Sequence, residues 1–358
     1  MVVFLPEKLP FGLRSANPFM PHHYNNWLLR RTNNIHRKYM SKIYIMRNVQ
    51  RELRLILLDS GGISITDNFW IRYNEDLTWE KIRETRDRNM RLADAALTGT
   101  YSWIEREANK QGMTSLFTTK GTHPKAIVEN TMLKIESSSK YEWVATVIGR
   151  ALGISVQDVN VLYPNFGNVE NIAEKLPKSV RPKQTLVEIP LFTSEKVSLV
   201  HASEVLPNLN EVFPNEANSR TQEVENENWY HRYFYDSLPD EKLKREFERI
   251  LILNWLISNH DMHLENFGCL YDPATFRITG IAPSFDHNSA AFDGLAPGED
   301  VPGIVIPNIG HHEDIIAKIE AGCLETALED VRDWLSPSQK ECVRNVGKYL
   351  TDQFRKIL

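Results

Sequence analysis

Cysteine is scarce in this chain. Cys269, Cys323 and Cys342 are odd in number and far apart, which argues against a disulfide framework or a cysteine-based zinc motif and fits a reducing compartment. Long apolar runs are also missing. None reaches the roughly 18 residues that a membrane-spanning helix needs. Positive charge is not in excess: 42 Lys and Arg stand against 47 Asp and Glu, for a net charge of −5. That balance gives no sign of general nucleic-acid binding. The start, "MVVFLPEKLPFG", is broken by prolines and lacks the basic-then-apolar order of a secretory signal. No internal repeat and no low-complexity tract is visible. These absences lead us to expect a cytoplasmic protein without a membrane segment.

What remains is an ordinary globular composition, 42% apolar and 25% charged, over 358 residues. That length suits two lobes with a sizeable core. Residues 1–111 form an extension that contains helices, including a basic one around "NNWLLRRTNNIHRKYMSKIYIM". Thr78 is a candidate cap for a further helix. From about residue 112 the pattern turns β-like, with "TSLFTTKGTHPKAIVENTMLKIE" giving two strand-like runs. The helical "KYEWVATVIGRALGI" follows, closed by Gly153. "TLVEIPLFTSEKVSLV" is strand-rich and interrupted by Pro190. Helices are expected over 219–258, then a hairpin in "CLYDPATFRITGI", a Pro/Gly loop, and two or three amphipathic helices from 311 to the end. The expected class is α+β, with a strand-rich lobe at 112–195 and a mainly helical lobe at 196–358.

Chemistry concentrates in "NHDMHLENFG", directly after a buried helix. Asp261 and Asn266 stand five residues apart, the spacing of the Asp and Asn in a protein-kinase catalytic loop. There the Asp takes or orients the proton of an attacking hydroxyl, and the Asn holds a magnesium ion on the phosphates. "IAPSFDHNSA" then offers Asp286 just past a strand-like run, where a kinase carries its second metal-binding acid. A carboxylate and a carboxamide with phosphate oxygens make a hard-oxygen magnesium site. Lys134, in the β-like "TMLKI", could neutralise ATP phosphates, and Glu142 opens the next helix and could pair with it. "TTKGTHPK" could cradle phosphate through its backbone, with Lys125 adding charge.

Together these blocks resemble the HipA-like serine/threonine kinases. "TTKGTHPKA" resembles the family's phosphate loop, "TMLKI" its lysine strand and "YEWVATVIGRALGI" its Glu-containing helix. "NHDMHLENFG" resembles the catalytic loop N-x-D-x-H-x-x-N-F, and "IAPSFDHNSA" the metal segment. The resemblance covers about residues 112–300 and implies a two-lobed protein-kinase-like fold, ATP and Mg2+ as cofactors, and a protein substrate with a Ser or Thr acceptor. It implies catalytic roles for Asp261, Asn266 and Lys134, and metal binding by Asn266 and Asp286. Nucleotide contacts would come from Thr118, Thr119, Lys120, Gly121, Lys125, Lys134, Glu142, His263 and Phe192, the last in the hinge-like "VEIPLFTSE". Thr118 aligns with the loop serine that such kinases phosphorylate on themselves. The family's partner is a DNA-binding antitoxin, but the first 110 residues differ from the family's N-terminal subdomain, so an antitoxin-like regulator is an open expectation.

Other readings use the same residues. His260 and Asp261 form an adjacent His-Asp pair, with His263 and His287 near in sequence, as in HD-type phosphohydrolases; such a site needs further His and Asp ligands on separate helices, and no helix-spaced set stands out among His22, His23, His311 and His312. A nucleotide-binding module without catalysis, or a small-molecule phosphotransferase, would share the polar parts.

Overall fold

A computed structural model describes residues 9–14, 21–31, 57, 61–72, 75–80, 125–128, 130–161, 185–206, 230–293 and 308–357. The phosphate-loop candidates Thr118, Thr119, Lys120 and Gly121 lie outside the described residues, as do the Pro/Gly loop 294–307 and most of the charged stretch before residue 230. Two units emerge. The first takes residues 1–139, 159–198 and the turn 272–277, and the second takes 140–158, 199–271 and 278–358. Both sheets and helices are present, so the class is α+β.

In the first unit, two short helices, α1 (Phe11–Arg14) and α2 (Pro21–Leu29), precede an irregular stretch. Arg31, buried at 2% exposure, fastens that stretch. Its guanidinium forks onto the Asp67 carboxylate at 2.6 and 2.5 Å. It also donates to the carbonyls of Gly62 and Phe69 and lies over the Trp27 ring. A buried guanidinium needs acceptors such as these to offset its desolvation. The four-stranded antiparallel sheet runs β1-β2-β4-β3: β1 Lys125–Val128, β2 Thr131–Glu136, β3 Asn160–Val161 and β4 Thr185–Pro190. Leu133, Ile135, Leu186, Val187 and Ile189 are all buried. The proline at the end of β4 closes the strand, because it cannot donate to a ladder.

The second unit is built on two helices. The helix α3 (Lys140–Leu152) buries Val144, Ala145, Ile148 and Leu152 completely. Gly153 ends it with φ +70, the left-handed conformation that glycine adopts without a Cβ penalty. The Ile154 amide then returns to the Gly149 carbonyl. A short α4 (Ala202–Val205) leads toward a helical stretch at 230–237. The long α5 (Glu241–Leu256) starts with Asp240 accepting the Leu243 amide at its N-terminus. It becomes wholly buried from Ile250 onward. Three helices close the chain: α6 (Glu313–Glu320), α7 (Cys323–Asp330) and α8 (Pro337–Ile357). Glu248 of α5 ties in the start of α6 by accepting from His312 at 2.9 Å and His311 at 3.2 Å. Burial alone would push the Glu248 carboxyl up. The hydrogen bonds from His312 and His311 outweigh it and hold the group below its ordinary range. Nearby, burial and then the Glu248 charge push the Tyr235 hydroxyl up to about 12.

The second sheet, β5-β6-β7, comprises β5 (Ser198–His201), β6 (Gly268–Tyr271) and β7 (Ile278–Ile281). It frames the polar loop at 258–267. β5 and β6 approach so closely at Gly268 that a Cβ there would sit 2.1 Å from the Val200 carbonyl oxygen and 2.9 Å from the His201 Cα. Both atoms are backbone and cannot swing aside. The same addition at Gly280 would meet only the Glu246 carboxylate, at 3.7 Å. We predict that Gly268→Ala destabilises the protein by about 3 kcal/mol or more, and Gly280→Ala by less than about 1 kcal/mol. Urea unfolding of the two variants checks this. Equal midpoints would show that β5 and β6 are not in contact at Gly268.

Candidate active site

The loop after α5 begins where the helix is most deeply buried. Leu253, Leu256 and Ile257 are at most 1% exposed, so the last helical carbonyls are shielded from water and must find donors inside the protein. They do. Ile257 N donates to Leu253 O, Ser258 N to Trp255 O and Asn259 N to Asn254 O. Ser258 then takes a left-handed φ of +50, which turns the chain out of the helix direction. The carbonyls of Ile257 and Ser258 accept the amides of Phe292 and Ala291, and Asn259 forms a β-bridge with Ala290. The Asp261 loop and the chain just past Asp286 are thus paired backbone to backbone within one unit.

Asp261 is half-exposed. One carboxylate oxygen accepts from the Ser289 hydroxyl at 3.2 Å, and the other lies 3.7 Å from the His263 Nε2. The His263 Nδ1 accepts the Glu265 amide at 3.2 Å, so that nitrogen carries a lone pair and the ring proton sits on Nε2, toward Asp261. Asn266, mostly buried, donates through its amide nitrogen to the Asp261 carbonyl at 2.6 Å. Its oxygen is thereby turned the other way, a neutral hard donor of the type that magnesium takes. Asp286 adopts φ +62, a conformation that costs a non-glycine residue energy and that recurs at functional positions. On the other side of the loop, Ser203 donates to Glu265 at 2.7 Å. The amides of Ala202 and Ser203 reach the carbonyls of Phe267 and Leu264. The loop is braced from both flanks.

Beneath the two loops runs a polar chain of low exposure, in which Asn254, Asn259, Ser284, His287 and Glu142 are each 3% exposed or less. The Asn254 nitrogen donates to the Ile250 carbonyl (2.9 Å) and to the Ser284 hydroxyl oxygen (3.0 Å). Its oxygen accepts from Asn259 at 2.7 Å. Because Ser284 already accepts from Asn254, its O–H is left for the His287 Nε2, 2.8 Å away. The reverse polarity would bury an unsatisfied hydroxyl. The His287 proton therefore sits on Nδ1, which faces the Glu142 carboxylate at 3.7 Å. That carboxylate also accepts the His287 amide at 2.9 Å.

Of the sequence-predicted residues, Asp261, Asn266, His263, Glu142 and Asp286 belong to the second unit, and Lys134, Lys125 and Phe192 to the first. Lys125 is not in a loop: it opens β1, and its cross-strand partner is Lys134 of β2. The correction has a simple cause. The antiparallel register with β2 sets Lys125 opposite Lys134 and so carries it into the ladder. The two lysines are 7% and 3% exposed. Phe192 follows β4 and is half-buried. Sequence reasoning missed Asn254, Ser284 and Ser289, and weighed His287 only as a histidine near the His260–Asp261 pair. A signal for Asn254 was available, as an asparagine inside the apolar run "ILILNWLI". The others look like ordinary turn residues.

The site histidines offer a direct check of these hydrogen-bond polarities. We predict that 15N NMR at pH 8 finds His263 as the Nε2–H tautomer and His287 as the Nδ1–H tautomer. Both histidines in the same tautomer would contradict the assignment.

Comparison with known proteins supplies one family match: residues 227–334 match the family model described as the HipA-like C-terminal domain. That stretch includes α5, the Asp261 loop and Asp286. A comparison with curated protein sequences gives no match. Among solved structures, one similar chain is a Helicobacter pylori proinflammatory kinase, CtkA. It is 15% identical, with a TM-score of 0.42, over 66% of this chain and 94% of that one. Another comes from the Shewanella oneidensis MR-1 toxin–antitoxin complex of HipA, HipB and operator DNA. It is 11% identical, with a TM-score of 0.47, over 88% of this chain and 82% of that one.

Proposed function

We propose that this chain, which carries a HipA-like C-terminal domain over residues 227–334, is a Mg-ATP-dependent kinase that transfers the γ-phosphoryl group of ATP to a Ser or Thr of a protein. The observation that carries the reading is the backbone pairing of the Asp261 loop with the chain that follows Asp286. It joins the two segments that a phosphoryl-transfer centre requires.

Asp261 would take or orient the proton of the acceptor hydroxyl. Its carboxylate is held by Ser289 and faced by His263, yet it is exposed enough for an acceptor to approach. Asn266 and Asp286 would hold the magnesium, since both offer hard oxygens. Bound Mg-ATP would supply the electrophilic phosphoryl group and neutralise charge as it transfers. In the first unit, Lys134 and its cross-strand partner Lys125 stand side by side in the sheet, and Lys134 would neutralise ATP phosphates. Pairing of Lys134 with Glu142, adenine contact at Phe192, and a phosphate loop at Thr118, Thr119, Lys120 and Gly121 with Thr118 as its autophosphorylation site belong to the same proposal. So does an antitoxin-like regulator. An HD-type hydrolase would need a cluster of His and Asp ligands, and among the described residues no group of three or more His, Cys, Asp or Glu could hold a metal ion.

The test is incubation with γ-labelled ATP and magnesium, followed by mass spectrometry of the chain itself and of a lysate. We expect labelled Ser or Thr with the wild-type protein. Loss of transfer by about 10²–10³ or more is expected for Asp261→Ala and for Asp286→Asn, with unchanged circular dichroism. Near-normal transfer by Asp286→Asn would contradict the metal assignment, and release of free phosphate without labelled protein would favour a hydrolase.

A further inference from the structure

We propose that Asn254 is a positioning residue of this site: its buried amide, bonded to both the Asp261 loop and the Asp286 segment, adds to their backbone pairing and keeps the two in register. The proposal rests on the kinase reading of those two acids for its functional consequence, though not for its structural one.

Asn254 is out of place by every local criterion. It sits in the last turn of α5, among Leu251, Ile252, Leu253 and Trp255, at 2% exposure. Asparagine is a poorer helix former than leucine, and burying an amide without partners is costly. A leucine would suit both the helix and the core better. What the amide provides is a bond to each of three places. Its nitrogen donates to Ile250 O on its own helix, which fixes the orientation of the amide, since a carbonyl can only accept. The second N–H goes to Ser284, two residues before Asp286. The oxygen accepts from Asn259, two residues before Asp261. The Asn259 oxygen in turn faces the Asp261 amide at 3.4 Å. From Ser284 the chain of bonds continues through His287 to Glu142 on α3.

The backbone bonds around Ser284 lead elsewhere. They tie it to the stretch after α3, through Gln157 N to Ser284 O and Ser284 N to Ser155 O. Ser289 and His260 link the two segments directly at their exposed side, whereas Asn254 reaches both from the buried helix beneath them. Phosphoryl transfer depends on placing the acceptor base and the metal-binding acid correctly, and an error of about 1 Å can cost on the order of 10² in rate. An amide fixed at both loops resists such an error in a way that a leucine cannot.

Hydrogen exchange read by mass spectrometry on the full chain, without nucleotide, tests the structural half. In Asn254→Leu, peptides covering 257–267 and 282–292 should both exchange about tenfold faster or more. Leu350→Ala, which opens the core on α8, serves as the control for lost stability alone, and it should not speed those two segments beyond the rest of the second unit. Faster exchange in one segment only, in neither, or equally in Leu350→Ala would overturn the proposal. If Asn254→Leu does not fold, Ser284→Ala decides. It removes one arm of the amide, and the proposal requires that loosening also reach 257–267; loosening confined to 282–292 would overturn it. In the transfer assay, kcat of Asn254→Asp should fall by about 10- to 100-fold while KM for ATP changes by less than about threefold. Unchanged kcat with Asp286→Asn inactive would sink the positioning role and leave the kinase reading standing. Absence of transfer in the wild type would sink the kinase reading, while the exchange result still decides whether Asn254 couples the two segments.

Discussion

A helix that ends inside a core must satisfy its last carbonyl groups there, and the candidate site follows from that constraint. The C-terminal turn of α5 is shielded by its own apolar residues, so the carbonyls of residues 253–255, 257 and 258 need donors within the protein. The amides of Ile257, Ser258 and Asn259 serve three of them, and those of Ala291 and Phe292 serve two more. A sharp turn at Ser258 is the backbone cost. The result is that a polar loop must start at a fixed point and direction, with the chain after Asp286 lying against it. The pairing of two acid-bearing segments is thus a consequence of how a buried helix is terminated.

A second consequence is the polarity of the site. Once backbone groups are paired, the side chains near them are sorted by what is left to bond. Asn266 spends its nitrogen on the Asp261 carbonyl, which turns its oxygen outward. His263 and His287 receive their protons on opposite nitrogens because each has one ring nitrogen already accepting. Neither arrangement requires a ligand. The Asn266 oxygen and the Asp261 carboxylate are therefore oriented by the protein's own hydrogen bonds, the kind of preorganisation that electrostatic catalysis uses.

Much of this was legible in the sequence, for physical reasons that differ by element. The helix over 140–152 was readable because its apolar spacing is regular and Gly153 stops it. The hairpin in "CLYDPATFRITGI" was readable because a proline turn separates two short β-like runs, and the three closing helices because their amphipathic period is strong. The D-x-x-x-x-N spacing located the candidate loop without any knowledge of the fold. The supporting residues were not legible. Ser284, His287 and Ser289 act through contacts with chain 28 or more residues away, as in Ser289 with Asp261, Ser284 with Asn254 and His287 with Glu142. Nothing local distinguishes them from turn residues. Lys125 was read as the basic end of the phosphate-loop candidate "TTKGTHPK", whereas the sheet register, which depends on β2, carries it into a strand.

The central claim is that Asn266 and Asp286 work as a pair of metal-binding oxygens for a nucleotide. Calorimetric titration with a non-hydrolysable ATP analogue, with and without magnesium, tests it most directly. We expect the wild-type protein to bind the analogue at least about tenfold more tightly with magnesium. The doubly substituted Asn266→Ala/Asp286→Asn protein, folded by circular dichroism, should lose that difference. Binding that is indifferent to magnesium in the wild type, or a magnesium effect that survives the double substitution, would contradict the account.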